Sequence, residues 1–294
     1  VKKLKLVNLN AGNLIDADPE IQERWRRYRQ INSAFGDVRK AELDRMLNLI
    51  GAKEDSTILE AGTGSCYLTL PLASSLGKEG LLITADVNRQ SLKELSQKVE
   101  QRRLELNRHF PVHPFHYSDD YFQERKFPDE FRAKFDMIVS LATFHHFDSR
   151  AEHIRSGFTG RTNALKEFFT MLKPGGRLII GDVAEGTPTE RYFNAIDNPR
   201  HLSPHGHPHD FFSVSQFTEI LQRLGFEIGT AAIEDVPWVF HSADQAMIYL
   251  NRLHNARCPA QESFDIAQKI VGFNEVGHML ELAWQLQFIE AIKP

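Results

Sequence analysis

Between Thr57 and Asp182, short apolar runs alternate with helical patterns, and this rhythm limits the fold more than any other feature of the chain. The runs predict strands over Thr57–Ala61, Leu81–Ala85, His113–Tyr117, Phe135–Ser140 and Arg177–Asp182. Apolar residues at helical spacing predict helices over Leu68–Leu76, Ser91–Leu106 and about Asn163–Leu172. Nearly continuous apolar strands suit a parallel sheet covered on both faces, because neither face then meets water. The expected fold class is therefore α/β, a Rossmann-like doubly wound sheet. Such sheets bind ligands beyond the carboxyl ends of their strands, which directs attention to the residues just after Ala61, Ala85, Tyr117, Val139 and Gly181.

Helices flank this region on the N-terminal side. Asp18-Pro19 reads as a helix start, followed by Ile21, Trp25, Tyr28, Ile31 and Phe35 on one stripe. Val38–Ile50 reads as a second helix, stopped by Gly51. Further on, Ser213–Leu224 reads as a helix and Phe226–Val239 as a strand. Helices over Ala243–Leu253 and Phe264–Val271 follow, and Ala283–Ile292 reads as a last strand. No repeat or linker interrupts the pattern, so residues 1–294 are read as one domain. Its caps are an N-terminal helical cap over 1–50, a lid loop over 186–212 and a helical insertion over 241–280.

Charge and cysteine usage narrow the partners. A net charge of −4 provides no global positive field for nucleic acid or an anionic membrane. Cys66 and Cys258 have neither metal-ligand spacing nor the density of a disulfide framework. No window approaches the ~18 apolar residues of a membrane span, and Val1 to Asn10 lacks a signal-peptide core. The expectation is a cytoplasmic protein without membrane or nucleic-acid partners.

The strongest local signal is Glu60-Ala61-Gly62-Thr63-Gly64, a strand running through glycines into a helix. Glycines there let backbone N–H groups approach a ligand closely. A dinucleotide site would place its third glycine at position 67, where the chain has Tyr67. A carboxylate at Glu60 repels a pyrophosphate but suits a ligand bearing an ammonium and a sulfonium. Asp86, closing the second strand, can accept hydrogen bonds from both ribose hydroxyls; its other reading is a turn aspartate capping the helix that follows.

These residues, in this order, resemble the class I S-adenosylmethionine-dependent methyltransferases. Glu60 to Gly64 is similar to the family's first motif and Asp86 to its acidic second-strand end. Tyr117-Ser118-Asp119-Asp120 is similar to the third-strand loop, Phe135 to Ser140 to the fourth strand, and Lys173-Pro174-Gly175-Gly176 to the turn before the fifth. The family usually has a third small residue where this chain has Cys66. The resemblance implies S-adenosyl-L-methionine as cofactor. Glu60, Gly62, Thr63 and Gly64 would hold its amino acid end, Asp86 its ribose, and Ser118 with Asp119 or Asp120 its adenine, with Val87 and Ser140 also expected at the cofactor. It also implies a seven-stranded, mostly parallel sheet whose antiparallel last strand lies between the fifth and sixth, with helical caps around it.

The acceptor side has weaker signals. His145 and His146 follow the fourth strand and are candidate catalytic bases, although the same sequence can simply shape the pocket. His201, His205, His207, His209 and Asp210 form a histidine-rich loop whose readings are loop hydrogen bonding, a substrate-contacting or base role, and transition-metal binding, with no metal assigned. Trp25, Tyr28, Phe144 and Trp238 are candidate acceptor contacts from an aromatic-rich set. Arg24, Arg26, Arg27 and Arg29 read as a solvated helix face, or as a holder of an acidic substrate group. The function expected is methyl transfer to an O, N or C atom of a small organic molecule. The alternatives are a cofactor-binding protein without methyl transfer, regulatory or cyclase-like, and an NAD(P)-dependent oxidoreductase.

Overall fold

A computed structural model of the chain describes residues 19–106, 110–117, 128–147, 159–196 and 210–294. Seven strands form one sheet. In chain order they are β1 (Thr57–Ala61), β2 (Leu81–Asp86), β3 (Val112–His116), β4 (Phe135–Leu141), β5 (Leu172–Asp182), β6 (Glu227–Asp235) and β10 (Gln285–Ile292). Their spatial order is β3-β2-β1-β4-β5-β10-β6. β1 pairs in parallel with β2 and β4, which sets Glu60 beside Thr84 and Val139. β10 runs antiparallel to both β5 and β6. The reversal of strand order on either side of β1 puts the switch point at the glycine turn, where an open sheet offers its crevice.

Strand alternation explains why both faces are dry. Ile58, Leu82, Met137, Val139 and Ile179 enter one buried cluster, and Leu59, Ala61, Ile83, Ile138 and Ile180 enter the other. The first face is covered by α1 (Pro19–Ala34), α2 (Lys40–Ile50) and α3 (Thr69–Ser74). α4 (Arg89–Leu106) adds Leu95 and Val99 to this first face, and the second is covered by α5 (Thr159–Met171). Gly51, at φ +50, closes α2 by donating to Leu47 O at 3.0 Å.

Several expected boundaries move for physical reasons. The stretch read as a lid loop contains α6 (Pro188–Ile196), with Pro188 first and Thr187 Oγ1 accepting Glu190 N at 3.1 Å. α7 (Val214–Arg223) carries a full capping box between Ser213 and Gln216. Lys173 to Gly176, read as a turn ahead of the fifth strand, lies inside a longer β5. Phe135 faces Leu172 and Met137 faces Arg177, so these residues bulge out of the ladder, with Gly175 at φ +75.

The expected sixth strand breaks at Val236-Pro237, since proline cannot donate to a ladder. Trp238–Phe240 becomes β7 of a second sheet. Residues 241–280 are accordingly more than a helical insertion. After α8 (Ala243–Leu253) and α9 (Ala260–Ile270) come β8 (Phe273–Val276) and β9 (Met279–Leu282), joined through Gly277 at φ +65. The second sheet runs β7-β9-β8. The expected last strand forms as β10 and starts at Gln285, with Ala283-Trp284 linking it to β9. Among the described residues no helix is long and apolar enough to cross a membrane.

Candidate active site

β1 delivers the glycine turn to the crevice. Gly62 N and Thr63 N donate to Ala85 O at 2.8 and 3.2 Å, folding the turn over the end of β2. Gly62 sits at φ +101, and a Cβ there would stand 2.3 Å from Thr143 Cγ2. Glycine is therefore required twice, by backbone and by space. Cys66 adopts φ +68, and burial pushes its thiol up to about 12, so it is an inert thiol at physiological pH.

Glu60 lies beneath the turn, 1% exposed. Its Oε2 accepts from Thr69 Oγ1 and Thr84 Oγ1, both at 2.7 Å, and Thr63 Oγ1 lies 2.6 Å from Thr84 Oγ1. Burial pushes the Glu60 carboxyl up to about 8, against the two hydroxyl hydrogen bonds and with help from the charge of Asp86. Asp86 is also buried and shifted upward by desolvation, opposed by its backbone hydrogen bonds. It accepts Gly64 N and Asn88 N at 2.8 Å each. A carboxylate has about four acceptor positions, so room remains for hydroxyl donors. Capping of α4 falls to Asn88, whose Oδ1 accepts Gln90 N at 2.9 Å and Ser91 N at 3.1 Å.

Tyr28, Arg39, Ser65, Tyr67 and Thr143 close a polar notch of about 20 Å³ against Glu60 and the turn. Arg39 was not singled out in the sequence; it is 5% exposed and ion-paired with the buried Glu42. Ser140 donates to Ala61 O at 2.8 Å, tying β4 to the end of β1. Val87 is half-buried, with its carbonyl 3.1 Å from His116 Nε2. Ser118, Asp119, Asp120, His201, His205, His207 and His209 lie outside the described residues. Among the described residues no group of three or more His, Cys, Asp and Glu is placed to hold a metal ion.

On the acceptor side, Trp25 meets Tyr28 edge-on at 6.1 Å and His146 at 6.3 Å, bringing three of the expected residues together. Phe144 is placed differently. It is 1% exposed and stacks on Phe217 at 5.4 Å within the second core cluster. Trp238 stacks on Trp284 at 3.9 Å and donates to Glu42 at 3.1 Å, so it supports Arg39 from behind. The arginine run divides: Arg26 and Arg27 pair with Glu23 on an exposed face, whereas Arg29 is buried against Glu94 at 2.8 Å.

His145 is held by the residue just after Gly181, a crevice position with no side-chain role assigned from the sequence. Asp182, at the end of β5, accepts His145 Nδ1 at 2.7 Å, His145 N at 2.9 Å and Val183 N at 2.8 Å. Because its oxygens already accept backbone N–H groups, Asp182 acts as an acceptor. That acceptor takes the proton of Nδ1 and fixes the plane of the imidazole ring. Asp182→Ala would strand three donors, and we expect a loss of about 3–5 kcal/mol of stability by urea denaturation. A change under about 1 kcal/mol would show the cluster contributes little.

A family model described as a methyltransferase domain matches residues 26–231. The chain belongs to that family. The methyltransferase domain is similar to the ubiquinone/menaquinone biosynthesis C-methyltransferase of Vibrio campbellii, 28% identical over 130 residues, 44% of this chain and 42% of that protein. The alignment thus spans less than half the length of the curated relatives. Two solved structures share the fold. The YcgJ protein of Bacillus subtilis gives a TM-score of 0.54 at 16% identity, covering 86% of this chain and 97% of its own. A Haemonchus contortus phosphoethanolamine N-methyltransferase 2, in complex with phosphomonomethylethanolamine and S-adenosylhomocysteine, gives 0.57 at 16% identity, covering 95% and 59%. The observed strand order, with its antiparallel β10 between β5 and β6, is the sheet the resemblance implied, and the cofactor of this methyltransferase class is S-adenosylmethionine.

Proposed function

We propose that this methyltransferase transfers the methyl group of S-adenosylmethionine to a small organic acceptor. The observation that carries the reading is the pair of buried acids, Glu60 and Asp86, on either side of a glycine turn folded onto Ala85. The site fits the cofactor on its own chemistry: the two buried carboxylates beside the turn face a cationic, hydroxyl-bearing ligand better than an anionic one. Glu60 would balance the ammonium, the turn would contact the aminoacyl chain, and Asp86 would accept the ribose hydroxyls. When bound, the cofactor supplies a methyl group already activated by its sulfonium.

The chain then has to align the acceptor, exclude water and, where needed, take a proton. Trp25, Tyr28 and His146 form the aromatic wall suited to holding a flat or apolar acceptor. His145, whose ring Asp182 orients, would serve as the base that receives the acceptor's proton. The curated relatives carry the name of C-methyltransferases of quinone biosynthesis, and an acceptor acidic enough to lose a proton to a histidine suits this arrangement. The net charge of −4 argues for a small acceptor over nucleic acid.

Thermal denaturation with S-adenosylmethionine, S-adenosylhomocysteine and NAD(P) tests the reading. A ligand at 100 times its dissociation constant stabilises by about 2.7 kcal/mol, a visible shift. We expect shifts with the first two alone. A shift with NAD(P), or with none, would overturn the proposal.

A further inference from the structure

Three buried side-chain atoms beside the glycine turn have no hydrogen-bond partner among the described residues: Arg39 Nε, Ser65 Oγ and Tyr67 Oη. All three residues line the same notch as Glu60, Gly62 and Gly64. Buried polar groups are normally paired, so three unpaired ones in the wall of a space of about 20 Å³ point to a further partner in that space.

The chemistry of those groups selects the partner. A guanidinium offers only donors, and burial holds the Tyr67 phenol well above its ordinary range, so it too keeps its proton. Arg39 is fixed in place: its guanidinium lies 5.1 Å from the centre of the Tyr67 ring and 5.5 Å from that of Trp238. Glu42, which takes the Trp238 indole N–H at 3.1 Å, holds one end by an ion pair. The other terminal nitrogen has only long contacts, 3.4 Å to Tyr28 Oη and 3.5 Å to Asn32 Oδ1. Donors without acceptors call for an acceptor-only group of matching planar shape, which a carboxylate is.

A carboxylate could arrive on the cofactor or on the methyl acceptor. Glu60 decides between them. It lines the same notch and suits an ammonium, and in an α-amino acid the ammonium and carboxylate are borne on one carbon. We propose that Arg39, Ser65 and Tyr67 form the carboxylate pocket for the aminoacyl end of S-adenosylmethionine, an inference that rests on the function proposed above. Glu42 and Trp238 are then positioning residues for Arg39, and through Trp238 the second sheet supports cofactor affinity.

The test compares S-adenosylhomocysteine, which carries the amino acid group, with 5′-methylthioadenosine, which lacks it, by isothermal titration calorimetry. Tyr67→Phe and Ser65→Ala each delete one unpaired oxygen and leave the fold's contacts intact. Arg39→Gln with Glu42→Gln removes both charges together, so no lone buried charge remains. We expect S-adenosylhomocysteine affinity to fall about 3- to 10-fold in Tyr67→Phe and about 10- to 100-fold in the double variant, with 5′-methylthioadenosine changed less than about threefold. Equal losses for both ligands, or unchanged S-adenosylhomocysteine affinity, would overturn the carboxylate assignment and leave the proposed function standing; the second result would place the carboxylate on the acceptor. Wild-type protein binding neither ligand would overturn the proposed function, and this inference with it.

Discussion

Gly62→Ala is expected to lower S-adenosylhomocysteine affinity at least about 100-fold and to cost about 2–4 kcal/mol of stability. Two independent effects add. At φ +101 an alanine pays for a left-handed backbone that glycine adopts freely. Its methyl carbon would also stand 2.3 Å from Thr143 Cγ2 and 2.7 Å from Thr143 Cβ, far inside contact distance. The turn cannot simply lift away, because Gly62 N and Thr63 N are bonded to Ala85 O. Relief at one site would therefore break the anchor at the other. A double-mutant cycle separates the effects. Thr143→Gly removes the clash and should restore part of the stability, leaving the backbone term. If Thr143→Gly restores nothing, the close approach is not what selects glycine, and if Gly62→Ala binds normally the turn does not contact the cofactor.

The glycine turn and its two acids were legible because each obeys a local rule. Nearly continuous apolar runs give the strands, a positive φ demands glycine, and an acid at the carboxyl end of a parallel strand faces the crevice. The same rule points to Asp182 at the end of β5, but in the sequence it stands beside no glycine pattern and was not drawn out. Arg39 carried no readable signal. Its burial depends on Trp238 and Tyr67, one far along the chain and the other beyond β1, and on Glu42 offsetting its charge. Arg29 is the same lesson within one helix, since nothing in the run Arg24 to Arg29 distinguishes the buried member from Arg26 and Arg27. Phe144 shows the reverse error. An aromatic after the fourth strand looks like a pocket wall until the rings of Phe217, Phe212 and Phe168 are found around it. The strands β8 and β9 escaped because four residues each, with one glutamate apiece, show too little alternation to tell from a loop.

Glu60 should make both stability and ligand affinity depend on pH, in opposite senses. In the folded protein its carboxyl is pushed up to about 8 from an ordinary value of 4.5, so the folded state holds a proton that the unfolded chain has released. Stability attributable to Glu60 is therefore present below about pH 4.5 and is lost as pH rises toward 8. Glu60→Gln keeps an oxygen to accept from Thr69 and Thr84 and never ionises. It should be more stable than wild type by an amount that grows from pH 5 to 8 and reaches on the order of a few kcal/mol. The cofactor's ammonium reverses the balance, because a cation beside Glu60 favours the ionised carboxyl over the neutral one. Binding of S-adenosylhomocysteine should then release close to one proton at pH 6–7, and wild-type affinity should rise by up to about tenfold per pH unit until pH 8. Calorimetry in two buffers of different ionisation enthalpy counts the protons directly. Glu60→Gln should bind more weakly at pH 8 and show no such release, since its neutral amide cannot balance the ammonium. Equal proton release in both proteins would assign it to another group, and flat stability differences across pH 5–8 would mean that Glu60 is solvated well enough to titrate normally. The buried acid would then be a structural partner of Thr69 and Thr84, and the electrostatic case for a cationic ligand would rest on Asp86 alone.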